Sequence, residues 1–117
     1  MRLVDLVCAL RQHDALSARQ WVADALRAKV RLDEFPEPAG LNQVDKAIAA
    51  GVVELLAERW GQPAPAWTEH VPPAPYPVFL VRAAEKMPRL RRTCEREGPE
   101  PLRRRLLLAP PGFLTAA

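Results

Sequence analysis

The first third of the chain contains two stretches in which apolar residues recur at helical spacing. Residues 2–12 place their apolar positions on one arc of a 3.6-residue helical wheel, which predicts an amphipathic helix. The segment 17–20, Ser-Ala-Arg-Gln, has the form of a capping box, in which the serine and the glutamine bond to each other's backbone amides. We therefore expect a second helix to start there and to end at about Val30. Its expected buried face comprises Trp21, Val22, Ala25 and Leu26.

A third and more apolar stretch covers residues 43–60, with Asn42 as a candidate N-cap and Gly61 in the position that follows a helix. Glu54 is the only charged residue between positions 47 and 57, and apolar side chains fall on nearly every side of the helical wheel. A helix of this kind is usually buried on several sides. We therefore expect it to be the central helix of the protein, with Gly51 allowing a neighbouring element to come close.

Prolines interrupt the second half of the chain. Six of the 13 prolines fall within residues 61–77, together with Trp67 and Tyr76. A disordered linker would be polar and poor in aromatic residues, whereas prolines in an ordered segment lower the entropy of the unfolded state. We therefore expect a rigid strap, with Trp67 docked on the domain and half exposed. The segment 72–75 contains P-x-x-P, but the absence of an adjoining basic residue disfavours a polyproline ligand for a partner.

The segment after the strap is basic and ends in an apolar tail. Its first ten residues, 78–87, fit a strand or a buried helix equally well. Pro88 predicts a helix start, and the helix is expected to continue to about Glu97 before Gly98 ends it. We expect one further helical turn near Leu102 and then an extended tail.

These elements predict an all-α protein: a small irregular helical bundle around the central helix 43–60, with a proline-rich strap and an extended C-terminal tail. With 117 residues, of which 49% are hydrophobic and 26% charged, the chain fits a single globular domain. Its expected parts are a helical body (1–60), the strap (61–77) and a basic C-terminal segment (78–117). No signal peptide and no apolar run of membrane-spanning length is evident, so a cytoplasmic location without membrane contact is expected.

Residues that carry metal or nucleophilic chemistry are few and scattered. The two histidines and two cysteines form no pair at metal-ligand spacing, and Cys8 fits an apolar helical position in which a free cysteine packs as a small hydrophobe. The five glycines are isolated, so no phosphate-binding loop is predicted. Glu54 and Glu58 share a helix face, but a solvated stripe explains them better than a catalytic pair. We therefore expect no enzymatic activity, no metal and no cofactor.

Positive charge is concentrated towards the C-terminus. Residues 82–105 hold nine basic and four acidic residues, a net charge of +5, which leaves −2 for the rest of a chain whose total is +3. Guanidinium groups suit carboxylates and phosphates, so an acidic partner is expected at this end, with apolar tail residues as an anchor. The expected partner-binding residues are Arg89, Arg92, Arg96, Arg103, Arg104, Arg105, Leu107, Phe113 and Leu114.

Two classes of partner fit these residues. One is another protein with an acidic surface, for which the chain would be a non-enzymatic interaction module. The other is nucleic acid, bound by the C-terminal arginine clusters or by a helix-turn-helix in residues 3–30, in which Arg19 and Gln20 would open the recognition helix. Phosphate binding weakens steeply with salt, whereas a complex anchored by apolar burial loses far less, so salt dependence separates the two classes.

Three stretches of the sequence carry a resemblance: LSARQWVADA at 16–25, ERWGQPAPAW at 58–67 and PEPLRRRLLLAPPGFL at 99–114. Together they resemble a group of small, poorly characterised bacterial proteins, and the likeness spans most of the chain. Some proteins of this type look to be encoded beside nucleotidyltransferase-like toxins of the abortive-infection kind. The resemblance implies an antitoxin or accessory role, in which the arginines would mask the carboxylates that hold the toxin's catalytic magnesium.

Overall fold

The described part of the chain, residues 1–115, forms five α-helices and one two-stranded sheet in the computed structural model. The helices are α1 (Leu3–Arg11), α2 (Ala15–Arg27), α3 (Gln43–Trp60), α4 (Pro88–Glu97) and α5 (Glu100–Arg103). The strands are β1 (Val78–Phe79) and β2 (Leu107–Leu108), and short 3-10 helices lie at Leu32–Glu34, Ala66–His70 and Arg82–Glu85. The prediction of a mainly helical protein is confirmed. The open assignment of residues 78–87 resolves into a strand followed by a 3-10 helix.

The turn between α1 and α2 differs from the predicted capping box. His13 adopts a left-handed backbone conformation with φ 55°, and the Asp14 amide donates to the Ala9 carbonyl at 2.8 Å, which closes a Schellman motif. The Asp14 carboxylate then accepts the Ser17 amide at 3.1 Å and is the N-cap of α2. Placing the start of the second helix at Ser17 was therefore wrong. The aspartate directly after the turn caps the helix, and the serine lies inside its first turn.

The α3 helix lies at the centre of the packing and has the predicted bounds. The Asn42 side chain accepts the Asp45 amide at 2.8 Å at its start, and Gly61 ends it with φ 65°. Eleven of its residues are buried, and it contacts α1, α5 and β2 as well as two of the 3-10 helices. A Cβ atom on Gly51 would lie 2.9 Å from a methyl group of Leu107 and 3.0 Å from one of Leu102. The close approach predicted at this glycine is therefore confirmed.

Two residues expected in the core lie outside it. Leu26 is 45% exposed because it sits about a quarter turn from the middle of the α2 face that packs on α1. Cys8 is also exposed, since it lies on the side of α1 opposite to its buried leucines. Apolar character alone did not identify the buried arc of either helix.

The proline-rich strap lies against both halves of the molecule. The Trp67 indole is partly buried and donates to the Phe35 carbonyl at 2.8 Å. Thr68 of the strap is buried, and the Ala74 amide donates to the Arg105 carbonyl at 3.0 Å. The strap therefore connects the loop after α2 with the C-terminal segment.

The C-terminal segment folds back onto the body instead of forming an extended tail. The β1 and β2 strands pair in parallel, with Val78 opposite Leu107, and residues 107–109 are buried. Arg59 at the end of α3 donates to the carbonyls of Phe113 and, at 3.1 Å, Pro111. The expected extended tail is corrected to a strand and a turn that complete the core. Positions 116 and 117, the end of that expected tail, lie outside the described residues.

Truncating a central leucine tests the position of α3. Leu55→Ala should lower the free energy of unfolding by about 2–5 kcal/mol, because a buried leucine leaves a cavity when truncated. Leu26→Ala removes the same atoms from an exposed site and should change the free energy of unfolding by no more than about 0.5 kcal/mol. Urea denaturation of both variants gives the comparison. Equal effects of the two changes would contradict a core built around α3.

Candidate functional site

Three arginines of α4 point away from the body of the protein. Pro88 occupies the first turn of the helix, as predicted, and Cys94 is buried on the side that faces the body. Arg89, Arg92 and Arg96 lie on the opposite side and are exposed. Within residues 1–115, no carboxylate comes within 4.0 Å of their guanidinium groups. Their charge is therefore available to a partner.

A fourth arginine extends this surface beyond the end of α4. Arg103 is exposed, and its guanidinium donates to the Arg96 carbonyl at 3.0 Å. A cation at the carboxyl end of a helix satisfies a free carbonyl and complements the helix dipole. We refer to Arg89, Arg92, Arg96 and Arg103 as the arginine face.

A neighbouring arginine on α4 has a different role. Arg91 forms an ion pair with Glu95 at 2.9 Å, and its guanidinium lies 5.2 Å from the centre of the Phe79 ring. The ring face attracts the cation, which holds α4 against β1. Arg91 therefore belongs to the packing of the domain rather than to the arginine face.

Arg104 and Arg105 are occupied within the chain. Both guanidinium groups donate to the Glu54 carboxylate, Arg104 at 2.7 Å, and Arg105 also donates to the Thr68 carbonyl at 2.7 Å. Arg105 is only 5% exposed, so its expected role in partner binding is corrected to a role in the core. The interpretation of Glu54 as part of a solvated stripe was also wrong, since its side chain is 10% exposed.

The expected apolar anchor is also part of the core. Leu107, Phe113 and Leu114 are buried, because the segment that carries them closes over α3. Exposed apolar side chains in this region include Leu106, at 41%, Tyr76, at 56%, and Met87, at 53%. Leu106 and Arg103 line a shallow cavity of about 270 Å³. The exposure of Leu106 follows from its left-handed backbone, φ 63°, which the run of three leucines does not reveal.

The helix-turn-helix alternative depends on α2. Arg19 and Gln20 are both exposed, but α2 starts at Ala15, so they lie in its second turn. Gln20 donates to Asp24 at 2.8 Å on the same helix. The pair is therefore accessible but does not open the helix as that interpretation requires.

Two groups of the described residues have a pKa shifted by burial. Burial raises the pKa of the Cys94 thiol and lowers the pKa of the Arg59 guanidinium. A thiol with a raised pKa is a poor nucleophile near neutral pH. Within residues 1–115, no three histidine, cysteine or acidic side chains cluster as metal ligands would, and no helix has the length and apolar character to cross a membrane.

Removing the shared carboxylate tests the Glu54 cluster. Glu54→Ala should lower the free energy of unfolding by about 3–5 kcal/mol, because it leaves the Arg105 charge buried without a counterion. Arg104→Ala removes an exposed partner of the same carboxylate and should cost no more than about 1 kcal/mol. Urea denaturation measures both. The double variant Glu54→Leu/Arg105→Met should regain much of the loss, and a double variant as unstable as Glu54→Ala would contradict the assignment.

The Asp14 cap predicts a dependence of stability on pH. The Ser17 hydroxyl and amide lower the pKa of the Asp14 carboxyl below its ordinary value, so the ionised form favours the folded state. This contribution is present above the unfolded-state pKa and is lost as pH falls through the lower folded-state pKa. Asp14→Ala should therefore be less stable than the parent at neutral pH, and the difference should shrink in acid. Thermal melts between about pH 7 and pH 2 measure it. A difference that grows in acid would contradict the capping role.

The comparisons with known proteins identify no relative of this chain. Family models, curated proteins and solved structures were compared with the chain, and none of the three comparisons finds a match. The resemblance to small bacterial proteins therefore stays a prediction.

Proposed function

We propose that the chain is a non-enzymatic interaction module whose arginine face binds an acidic surface of another protein. The observation that carries this proposal is the division among the arginines of the C-terminal segment. Arg91, Arg104 and Arg105 have carboxylate partners within the chain, whereas Arg89, Arg92 and Arg96 have none within residues 1–115. Unpaired guanidinium groups aligned on one exposed helix face are suited to carboxylates presented by a partner.

The apolar side chains beside the arginine face favour a protein partner. Leu106 lies next to Arg103 in the shallow cavity, and Tyr76 is exposed one residue before Pro77, which lines the same cavity. A half-exposed tyrosine beside arginines is typical of the centre of a protein interface, and the half-exposed leucine adds apolar contact area. In this proposal they replace the expected anchor formed by Leu107, Phe113 and Leu114.

The partner class follows from the resemblance together with the charge. A nucleotidyltransferase-like toxin holds its catalytic magnesium with carboxylates, and an arginine face would be complementary to such a site. The proposed mechanism is masking: the arginines cover the acidic site, and Leu106 and Tyr76 hold the complex together. A small irregular bundle around α3, fixed by the proline-rich strap, would present the arginine face as a rigid surface. The chain would then act as an antitoxin or accessory protein in the cytoplasm.

Nucleic acid is the second candidate, and the same unpaired arginines favour it. Three guanidinium groups along one helix face can contact successive phosphates, and they would need no apolar anchor. Glu95 and Glu97 are exposed on α4 and reduce the positive charge beside the arginines. This favours binding to a discrete acidic site on a protein over binding to a continuous phosphate backbone. The two candidates differ in their dependence on salt.

Charge reversal on α4 tests the proposal. Arg89→Glu/Arg92→Glu places acids in the first half of a helix, where they suit the dipole, so the fold should be kept. The matched control, Arg2→Glu/Lys46→Glu, makes the same change of charge at other exposed helix starts. The partner is first recovered from a lysate of the source organism and purified. Surface plasmon resonance should then show association slowed by about tenfold or more for the α4 variant and much less for the control.

Binding of the parent and of the α4 variant to duplex DNA is measured in parallel over a range of salt concentrations. The nucleic-acid candidate replaces the protein partner if the parent binds only DNA, if its affinity for DNA falls log-linearly with added salt, and if the α4 variant does not bind DNA. Unchanged association of the α4 variant with the purified protein partner would refute the role of the arginine face.

A further inference from the structure

A second surface feature lies away from the arginine face, at the turn between α1 and α2. A cleft of about 380 Å³ opens between this turn, residues 80–83 and residues 110–114. Its walls are largely apolar and are formed by Leu10, Ala18, Leu80, Phe113 and Leu114. Binding sites for small molecules are typically concave, mostly apolar and of about 300–1,000 Å³, with a few polar groups at fixed positions. The cleft has the size and lining of such a site.

The backbone around the cleft is held in an unfavourable conformation. His13 and Leu114 both line it, and both are left-handed, with φ of 55° and 57°. A residue other than glycine seldom takes this conformation, which costs of order 1 kcal/mol or more. The His13 ring donates from Nε2 to the Phe79 carbonyl at 3.0 Å, which fixes the orientation of the ring. The backbone at these two positions is therefore held in place by the surrounding fold.

The cleft is lined by two arginines and one aspartate, which differ in whether they already have a partner within the described residues. Arg19 and Arg82 are exposed, and neither pairs with a carboxylate within residues 1–115. Asp14 is the acidic group of the lining, and its carboxylate is already engaged by the Ser17 amide as the cap of α2. Arg19 and Arg82 together with Asp14 give the lining one net positive charge.

We infer that this cleft binds a small apolar molecule that carries a single carboxylate. The apolar body would lie against Leu10, Leu80 and Phe113, and the carboxylate would accept hydrogen bonds from Arg19 and Arg82 at the edge. One negative charge balances the net charge of the lining. A guanidinium group is matched in shape to a carboxylate, since its N–H groups can donate to both carboxylate oxygens. This inference does not depend on the arginine face or on its partner.

The probe is 3-phenylpropionate, with 3-phenylpropanamide as its uncharged counterpart of nearly the same shape. Each is titrated into the ¹⁵N-labelled protein, and amide chemical shifts are followed. The acid should give saturable shifts confined to the cleft residues, at Leu10, Ala18, Leu80 and Gly112 among others, and the amide should bind at least about tenfold more weakly. Arg19→Gln/Arg82→Gln should reduce the affinity for the acid by a similar factor and leave the affinity for the amide unchanged.

A second variant tests the shape of the cleft without changing its charge. Ala83 is exposed and lines the cleft, so Ala83→Leu should fill part of it without disturbing the core and should weaken binding of both probes. Spectra of the free variants check that the fold is intact. The inference is overturned if the acid gives no saturable shift at millimolar concentration. It is also overturned if acid and amide bind equally, or if the arginine variant binds the acid as the parent does.

Discussion

The architecture depends on one carboxylate, 10% exposed, which pairs with two arginines of the C-terminal segment. Glu54 is the only charge in the apolar centre of α3, and it faces Arg105. Arg105 in turn donates to the Thr68 carbonyl of the strap and reaches the Pro101 carbonyl of α5. A buried ion pair contributes little net stability against an apolar replacement, but separating it is costly because one charge is then left unpaired in the interior. The pair therefore selects the single arrangement in which the strap and α5 meet at the middle of α3.

The position of Arg105 determines which residues of the C-terminal segment remain outside the core. With its side chain against α3, the next residues continue into β2 and pair with β1, so that Leu107 and the turn through Phe113 and Leu114 complete the core. Gly51 makes this arrangement possible because a side chain at that position would collide with Leu107. The arginine face is the part of the basic segment that this folding leaves exposed. Which arginines pair within the chain and which stay exposed is thus decided by the path of the chain after α5, and not by the composition of the segment.

The sequence predicted local structure well where a helix depends on its own ends. The α3 helix has the expected cap at Asn42 and the expected stop at Gly61, and α4 begins at Pro88, because these signals act within a few residues. Prediction failed where distant partners decide the outcome. Nothing in the run Arg103–Arg105 distinguishes the buried arginine from its exposed neighbours, since the partners of Arg105, Glu54 and the Thr68 carbonyl, are distant in the sequence. The apolar tail was ambiguous for the same reason, because an exposed anchor and a core segment have the same composition.

The α4 helix and the turn between α1 and α2 are linked through one residue, Phe79. The Phe79 carbonyl accepts the His13 ring at the edge of the cleft, and the Phe79 ring supports Arg91 on α4. Phe79 also belongs to β1, which is fixed by its pairing with Leu108. Because a single strand residue contacts both elements, the position of α4 relative to the α1–α2 turn is set through it. The left-handed conformation of His13 is consistent with this role, since it directs the ring towards Phe79 at a cost in backbone energy that glycine at the same position would avoid.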